Sequence, residues 1–375
     1  MKCFRCNNTD PTLFYYDSGV YYCRKCIMFS RLDANTPIKK VTLSKKMINT
    51  SPKLKYPLTP KQKETSHKVC TLLKQGKDVF LYACTGAGKT EITYESICAY
   101  LKEGKKVCFA ISRRQVVLEL KERLQSVFPS LHVICVAQGY TDEIDGDIIV
   151  CTMHQLYRYP YCFDLLIMDE VDAFPYIGNE VLETIASLSC IGQKLYLSAT
   201  PDETLLHKSE VVTLFQRPHG HPLPIPKVFV CSKFIQFILI IYYLNKYKSH
   251  QILLFVPTIQ DCITMHYLLK PFVSNAYVHS QFVNKDQVLQ EFHNKSFRCL
   301  ISTTLLERGI TIPDVYVFVY QANHSVFTCS SLIQIFGRIG RSFTSPEGKG
   351  ICLCSTYSDA IKNCIKQLKQ MNQDA

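Results

Sequence analysis

The chain has 375 residues, 47% of them hydrophobic, with a mean hydropathy close to zero, which is enough for two to three soluble domains of ~100–200 residues each. Lys and Arg outnumber Asp and Glu by 43 to 31, a formal net charge of +12, a balance that suits a polyanionic partner such as nucleic acid or an anionic membrane surface. The start "MKCFRCNN" has no apolar core of a signal peptide, and the most apolar run, Phe234 to Leu244, is far shorter than the ~20 residues that cross a bilayer, so it reads as a buried helix. Most of the 19 cysteines sit singly in apolar runs, where a thiol behaves as a small hydrophobe. A reducing compartment without structural disulfides is expected.

Residues 1–30 carry "CFRC" at 3–6 and "CRKC" at 23–26. Two C-x₂-C hooks at this separation have the spacing of a structural zinc site. Cys3, Cys6, Cys23 and Cys26 would close a tetrahedron with no open position, so the metal staples rather than catalyses. An iron–sulfur cluster is the rival occupant, disfavoured by the intervening "FYYDSGVYY", which reads as a hairpin turning near Gly19. About thirty residues bury too little to fold without such a staple. Residues 31–57 follow as a basic linker or loosely packed arm, with Lys39, Lys40, Lys45, Lys46, Lys53 and Lys55 among Pro37, Pro52 and Pro57. Solvation and direct contact with DNA are both open for it.

Residues 58–216 form the first predicted domain. "DVFLYA", "KVCFAIS", "HVICVA", "DIIVCT", "DLLIMD" and "KLYLSA" are its strands. Arg114 to Val127 repeats apolar residues near a 3.6 period and predicts a helix. Strands alternating with helices imply an α/β fold with a parallel sheet. Residues 217–227, within "QRPHGHPLPIPK", are a proline-rich linker that no helix or central strand survives. The alternation restarts in a second domain, 228–375, with strands "QILLFVP", "FRCLIST", "VYVFVY" and "KGICLCS" and a closing helix over 356–371. The fold class is therefore two tandem parallel-sheet domains behind a small metal-binding module.

"LYACTGAGKTE", 81–91, joins a strand to a helix start through a glycine-rich turn. Backbone amides of Thr85, Gly86, Ala87 and Gly88 would cradle phosphates, Lys89 would reach the terminal phosphates, and Thr90 would hold Mg²⁺. Ala83 stands where the strict pattern has glycine. In "LLIMDEVDAF", 165–174, Asp169 ends a strand and would hold Mg²⁺ with Thr90, while Glu170 would polarise the water that attacks the γ-phosphate. "LSATP", 197–201, offers Ser198 and Thr200 as hydrogen-bond relays. In "QIFGRIGRS", Gln334, Arg338 and Arg341 would share a face on a helical turn, the arginines answering charge that develops on the γ-phosphate. The phosphate loop precedes the proline-rich linker and the arginine pair follows it, so turnover should need both halves of the chain.

"ACTGAGKTE", "DEVD", "SAT" and "QIFGRIGR", in this order, resemble motifs I, II, III and VI of superfamily 2 helicases, over about Leu58 to Tyr357. The resemblance implies RecA-like domains, with ATP and Mg²⁺ as cofactors. It implies that Gln62 of "LTPKQ" reads adenine and that Gly309 and Arg308 of "STTLLERGITIPDV" border the nucleotide cleft. It also implies that Arg113 of "SRRQVV", Thr152 of "CTMHQL", Thr258 of "LLFVPT", Thr303 and Arg308 lie toward nucleic acid. Ser112 stands where many relatives have proline. A four-cysteine zinc module directly before such a core is similar to the late competence ComFA family, on the phrases "LTPKQ", "CTGAGKTE", "TMHQL", "MDEVDAFPY" and "IQIFGRIGR". That resemblance implies a Zn²⁺ site and an ATP-driven single-stranded DNA translocase of natural transformation. It would work in the cytoplasm, at the inner face of the membrane, with other competence proteins at the DNA-uptake channel, and a homo-oligomer is compatible with it. The competing readings are a PriA-like or other superfamily 2 DNA or RNA helicase, and a nucleic-acid-binding protein with an inactive ATPase.

Overall fold

A computed structural model describes residues 1–29, 33–34, 36–37, 41–172, 176, 178–282, 284–307 and 314–375. It forms two compact units, Met1–Ala83 with Lys89–Leu214, and Cys84–Gly88 with Phe215–Ala375.

The first unit opens with the hairpin β1 (Phe14–Asp17) and β2 (Val20–Cys23). Its two-residue turn puts Ser18 at φ 52° and Gly19 at φ 80°, the left-handed pair that matches the twist of a tight hairpin. A seven-stranded sheet follows, in the order β5-β6-β4-β7-β8-β3-β9. The strands are β3 (Val79–Ala83), β4 (Val107–Ile111), β5 (Val133–Val136), β6 (Ile148–Thr152), β7 (Phe163–Asp169), β8 (Cys190–Ser198) and β9 (Glu210–Leu214). Every pairing is parallel. β4 and β6 are buried along their whole length, which is why they read as continuous apolar runs rather than alternating ones. The helices are α1 (Pro60–Lys74), α2 (Lys89–Ile92), α3 (Tyr94–Lys102), α4 (Arg114–Val127), α5 (Glu180–Ser189) and α6 (Glu203–Lys208). α1 starts in a reciprocal cap: Thr59 Oγ1 accepts from Gln62 N at 3.2 Å, and Gln62 Oε1 accepts from Thr59 N at 2.9 Å, with Pro60 at the first helical position.

Segment 41–57 forms no helix or strand, yet it is held to this unit rather than loosely packed. Ser44 N donates to Asp145 Oδ2 at 2.8 Å, Lys45 Nζ meets Asp164 Oδ2 at 2.6 Å, and Lys53 N donates to Val127 O at 2.8 Å. Lys46, Lys53 and Lys55 stay exposed. Lys39 and Lys40 lie outside the described residues.

The second unit holds a six-stranded parallel sheet in the order β10-β15-β14-β11-β13-β12. Its strands are β10 (Lys227–Val230), β11 (Gln251–Phe255), β12 (Asn275–Val278), β13 (Cys299–Ser302), β14 (Val315–Val319) and β15 (Gly350–Cys354). Its helices are α7 (Lys233–Lys246), α8 (Ile259–Leu269), α9 (Lys285–His293), α10 (Cys329–Phe336) and α11 (Asp359–Gln373). The apolar run at 234–244 is helical, as its sequence indicates, but it is not fully buried. α7 buries Gln236, Ile240, Tyr243 and Leu244 and exposes Phe234, Ile235, Ile238 and Tyr242. A helix laid on one sheet face can bury only one stripe, and this sequence is apolar all round. Among the described residues no helix is long and apolar enough to cross a membrane.

β7 carries an irregularity between Phe163 and Leu165 where it meets β8. Gly192 lies against it, and a Cβ there would sit 2.0 Å from Asp164 O. Gly192→Ala should therefore lower stability by roughly 1–3 kcal/mol, the usual cost of overpacking. A denaturant midpoint for the first unit equal to that of the unaltered chain would show that the strand pair can part to admit a methyl group.

Candidate functional site

In the first unit, three adjacent strands lead into chemistry-bearing segments, of which residues 84–88 of the phosphate loop group with the second unit. β7, β8 and β3 are neighbours, and their carboxyl ends lead into Asp169–Glu170, Ser198–Thr200 and the phosphate loop. Open parallel sheets place ligand sites at that edge. Lys89 opens α2 and points back, its Nζ donating to Ala83 O at 3.2 Å. Thr90 is half-buried beside it. Within the loop, Gly86 has φ 83° and Gly88 φ 86°, the left-handed region that glycine enters without strain, and Thr85 and Ala87 are buried. α2 and α3 are separated at Thr93, whose hydroxyl donates to Thr90 O at 2.7 Å.

Asp169 Oδ1 accepts from Glu170 N at 2.9 Å. Burial, with the Glu170 carboxylate beside it, pushes the Asp169 carboxyl up to about 7, and Lys89 opposes the shift. Glu170 sits at φ 56°, a conformation that costs a residue with a Cβ roughly 1–3 kcal/mol and persists only where its surroundings impose it. The same Glu170 N also donates to Leu197 O at 3.0 Å, so β8 helps hold the acid pair.

Sequence reasoning named Ser198 and Thr200 as relays but passed over the group they serve. Asp172 is buried, its Oδ1 accepts from Ser198 Oγ at 2.8 Å, and its Oδ2 accepts from Thr200 Oγ1 at 2.8 Å. The last acid of "DEVD" and the two hydroxyls of "SAT" are thus one network, tying the loop after β7 to the end of β8. The paired presence of an acid and two hydroxyls at neighbouring strand ends was the available signal. Gln62 is buried, and its Oε1 is engaged in the α1 cap.

In the second unit, Gln334 lies buried in α10. The helix ends at Phe336 with Gly337 as its C-cap, so Arg338 and Arg341 stand in the turn beyond it rather than on a helical face. Further along that turn Gly340 takes φ 63°, so the chain does not resume a helical path before Arg341. Arg338 is buried, and Arg341 Nε folds back to Gly337 O at 2.9 Å. The linker residue Arg217, read from sequence only as part of a spacer, is 2% exposed. Its guanidinium donates to Thr85 O at 2.9 Å, Gly337 O at 2.8 Å, Ile339 O at 2.7 Å and Gly340 O at 3.0 Å. Burial pulls its pKa down to about 10.

Of the residues linked to nucleic acid, Arg113 precedes α4 at the end of β4, and Thr152 ends β6 with its side chain buried. In the second unit Thr258 caps α8, its Oγ1 accepting from Asp261 N at 3.0 Å, and Thr303 follows β13 half-buried. Arg308 and Gly309 lie outside the described residues.

The four cysteines of the N-terminal module do converge. Their sulfurs all lie within 4.8 Å of one another, with Cys3 and Cys26 at 3.6 Å and Cys6 and Cys23 at 3.7 Å. A tetrahedron with metal–sulfur bonds of ~2.3 Å has edges of about 3.8 Å. A hydrogen bond with Cys26 holds the Cys3 thiol far below its ordinary value.

Two family models match the chain, the Type III restriction enzyme res subunit over residues 55–203 and the helicase conserved C-terminal domain over 233–343. Competence protein ComFA of Streptococcus pneumoniae is 34% identical across 100% of this chain and 90% of its own length. Competence protein ComFA of Bacillus subtilis is 30% identical across 99% of this chain and 86% of its own. Among solved structures, Mss116p bound to single-stranded RNA and AMP-PNP has a TM-score of 0.64 at 17% identity, covering 85% of this chain and 73% of that one. Dbp5 of S. cerevisiae bound to RNA and ADP BeF3 has a TM-score of 0.60 at 15% identity, covering 85% and 92%. These structures share the fold, two RecA-like domains. The two family models span most of each parallel sheet, and the two competence proteins are similar over 100% and 99% of this chain, so the chain belongs to the ComFA family of competence proteins and is a helicase-type ATPase.

Proposed function

We propose that the protein is an ATP-driven motor that moves along single-stranded DNA and draws it inward during natural transformation, at the inner face of the membrane with other competence proteins. The observation that carries this reading is the placement of the phosphate loop, the acid pair and the Ser-Ala-Thr segment at the carboxyl ends of three neighbouring strands, β3, β7 and β8, in a chain similar to ComFA proteins over 99% or more of its length.

Bound ATP with Mg²⁺ supplies the phosphoryl group that is transferred to water. In the proposed roles, amides of Thr85 to Gly88 cradle the phosphates, and Lys89 leaves the Ala83 carbonyl to neutralise the terminal ones. Thr90 and Asp169 hold the cation, Glu170 orients the attacking water, and Gln62 contacts the base. Arg338, Arg341 and Gln334 act on the γ-phosphate, with Gly309 bordering the nucleotide. Arg113, Thr152, Thr258, Thr303 and Arg308 line the path of the strand. Thr152 is buried and Thr258 is a helix cap, so the contacts at those two positions fall to the backbone amides just after them, a common way of holding phosphate. Zn²⁺ fits the cysteine site: the donors are four thiolates at single-ion spacing, whereas a polynuclear cluster would hold its thiolates farther apart.

Movement without strand separation is the expected work. Among the described residues the only antiparallel sheet is the β1–β2 hairpin, and no inserted hairpin stands ready to split a duplex. Long single strands should stimulate ATP hydrolysis strongly, with binding that weakens by a slope of about −0.7 per phosphate contact on a log–log salt plot. A tailed duplex should be opened poorly or not at all. Efficient unwinding, or stimulation by RNA alone, would move the protein to the helicase alternatives.

Substitutions test the chemistry. Lys89→Ala and Arg341→Ala should each cut hydrolysis on the order of a hundredfold or more. Glu170→Gln should keep nucleotide affinity and lose turnover to a similar degree. Residues of both halves are required on this reading, so a fragment of residues 58–214 that hydrolysed ATP as fast as the whole chain would refute it.

Metal analysis of the purified chain should find zinc at about one per chain, lost in Cys23→Ser while the two parallel sheets stay folded by circular dichroism. Zinc retained in that variant, or iron in its place, would reject the assignment.

A further inference from the structure

The cysteine module does not stand apart from the motor core. Cys3, Cys6, Cys23, Cys26 and Phe29 belong to the same buried cluster as Ile149, Met153, Leu156 and Ile185. The contact centres on the turn that follows β6, a 3₁₀ helix over Met153–Arg158. The Phe29 ring lies 5.9 Å from His154 and 5.7 Å from Tyr157 between centroids. The Arg5 guanidinium is 5.5 Å from the Tyr157 ring centroid, and that of Arg158 is 5.3 Å from the same centroid. Lys25 Nζ pairs with Glu180 Oε2 of α5 at 2.8 Å.

Two features make this contact more than packing. The turn holds itself poorly, because 3₁₀ hydrogen bonds are strained and Thr152 gives it no side-chain cap. Its order must come from neighbours. The neighbour is itself set by the cysteine site: Phe29 ends the short helical segment Arg24–Phe29, three residues beyond the ligand Cys26, and Arg5 Nη1 donates to Cys26 O at 3.4 Å. A loaded site fixes Cys23 and Cys26, these fix Phe29 and Arg5, and these two fix Tyr157 and His154.

We propose that the metal-loaded cysteine module is the positioning element for the 152–158 turn, with Phe29 as the residue that transmits it, so that occupancy of the four-thiolate site sets how firmly the first unit grips a nucleic-acid strand. The inference rests on the reading that this turn lies on the strand's path. It assigns the module a role other than touching the strand itself.

Phe29→Ala and Phe29→Leu in the full chain separate the links. Four quantities are compared with the unaltered protein: zinc content, amide exchange across 152–158, affinity for an oligo-dT probe by fluorescence anisotropy, and ATP hydrolysis without nucleic acid. Phe29→Ala should keep its zinc and its unstimulated hydrolysis. It should speed exchange in the turn but not in β3 or β7, and it should weaken oligo-dT binding roughly tenfold. Phe29→Leu should recover most of both losses. Unchanged exchange in the turn overturns the proposal. Faster exchange with unchanged affinity overturns it too, since the turn would then be ordered by the module without serving the grip. If Phe29→Ala loses zinc, Arg5→Lys decides by the same two readouts with its zinc content checked, because it removes the planar guanidinium from Tyr157, keeps a donor for Cys26 O and leaves the aromatic contacts in place. Failure of the unaltered chain to bind oligo-dT strikes the motor reading instead, and exchange in the turn then decides alone whether the module orders it.

Discussion

A strand buried on both faces can hydrogen-bond only to its neighbours, and that constraint organises both units. β4 and β6 present no exposed side chain, so neither has a place for a functional group along its length, and an unpaired peptide group inside would cost as much as a lost hydrogen bond. Chemistry is pushed to where the strands end. Because every pairing in the large sheets is parallel, all the carboxyl ends fall on one edge. In the first unit that edge divides by strand order: β3, β8 and β7 lead to the phosphate loop, the hydroxyl pair and the acids, while β4 and β6 lead to Arg113 and Thr152. The strand order therefore sorts the groups proposed for nucleotide from those proposed for the strand, without a separate domain for each.

What the chain reveals before folding follows from the same constraint. Central strands announce themselves as apolar runs because both faces are covered, and each run read as a strand is one. The phosphate loop is legible because its glycines are required by φ near 85°, and the cysteine hooks because four thiolates need a fixed spacing. Three strands escape a sequence reading, β9, β10 and β12, and each lies at an edge of its sheet. Edge strands are covered on fewer sides, so "EVVTL", "KVFV" and "NAYV" carry polar residues and too few positions to show a pattern. The docking of the cysteine module on 153–158 is equally silent. Phe29, Tyr157 and His154 are ordinary residues until the fold brings them together, and nothing in their spacing marks a contact.

Glu170 shows how the site resists relaxing. Its left-handed backbone is unfavourable by itself, yet its N–H is bound by both Asp169 Oδ1 and Leu197 O, and two positions further on Asp172 is locked to Ser198 and Thr200. Removing the Asp172 carboxylate would take away the acceptor that two buried hydroxyls share, at about 1–3 kcal/mol. The Ser-Ala-Thr segment thus acts on the acid pair at a distance: its hydroxyls hold Asp172 while Leu197 O holds Glu170 N, and together they keep the residue proposed to orient water from drifting to an unstrained conformation. The hydroxyls need not touch a ligand to matter.

Arg217 answers a different problem. A buried guanidinium is costly unless its donors are met, and here they are met by carbonyls rather than a carboxylate. Three of these carbonyls, from Gly337, Ile339 and Gly340, lie where α10 ends. Gly337 is the helix C-cap and the other two belong to the turn that follows, and a cation at the cap also suits the negative end of the helix dipole. The arrangement demands glycine as well as arginine: a Cβ at Gly337 would fall 2.0 Å from Thr85 Oγ1, and one at Gly340 would fall 2.3 Å from Pro346 O. Read as a motif, the glycines of "QIFGRIGR" suggest room for a ligand. In the folded second unit they first make room for the chain itself, letting Thr85 approach the end of α10 closely enough for one arginine to bind both. The proline-rich stretch 217–227 is thus anchored at its first residue, and the linker begins by bracing the turn that carries the two arginines.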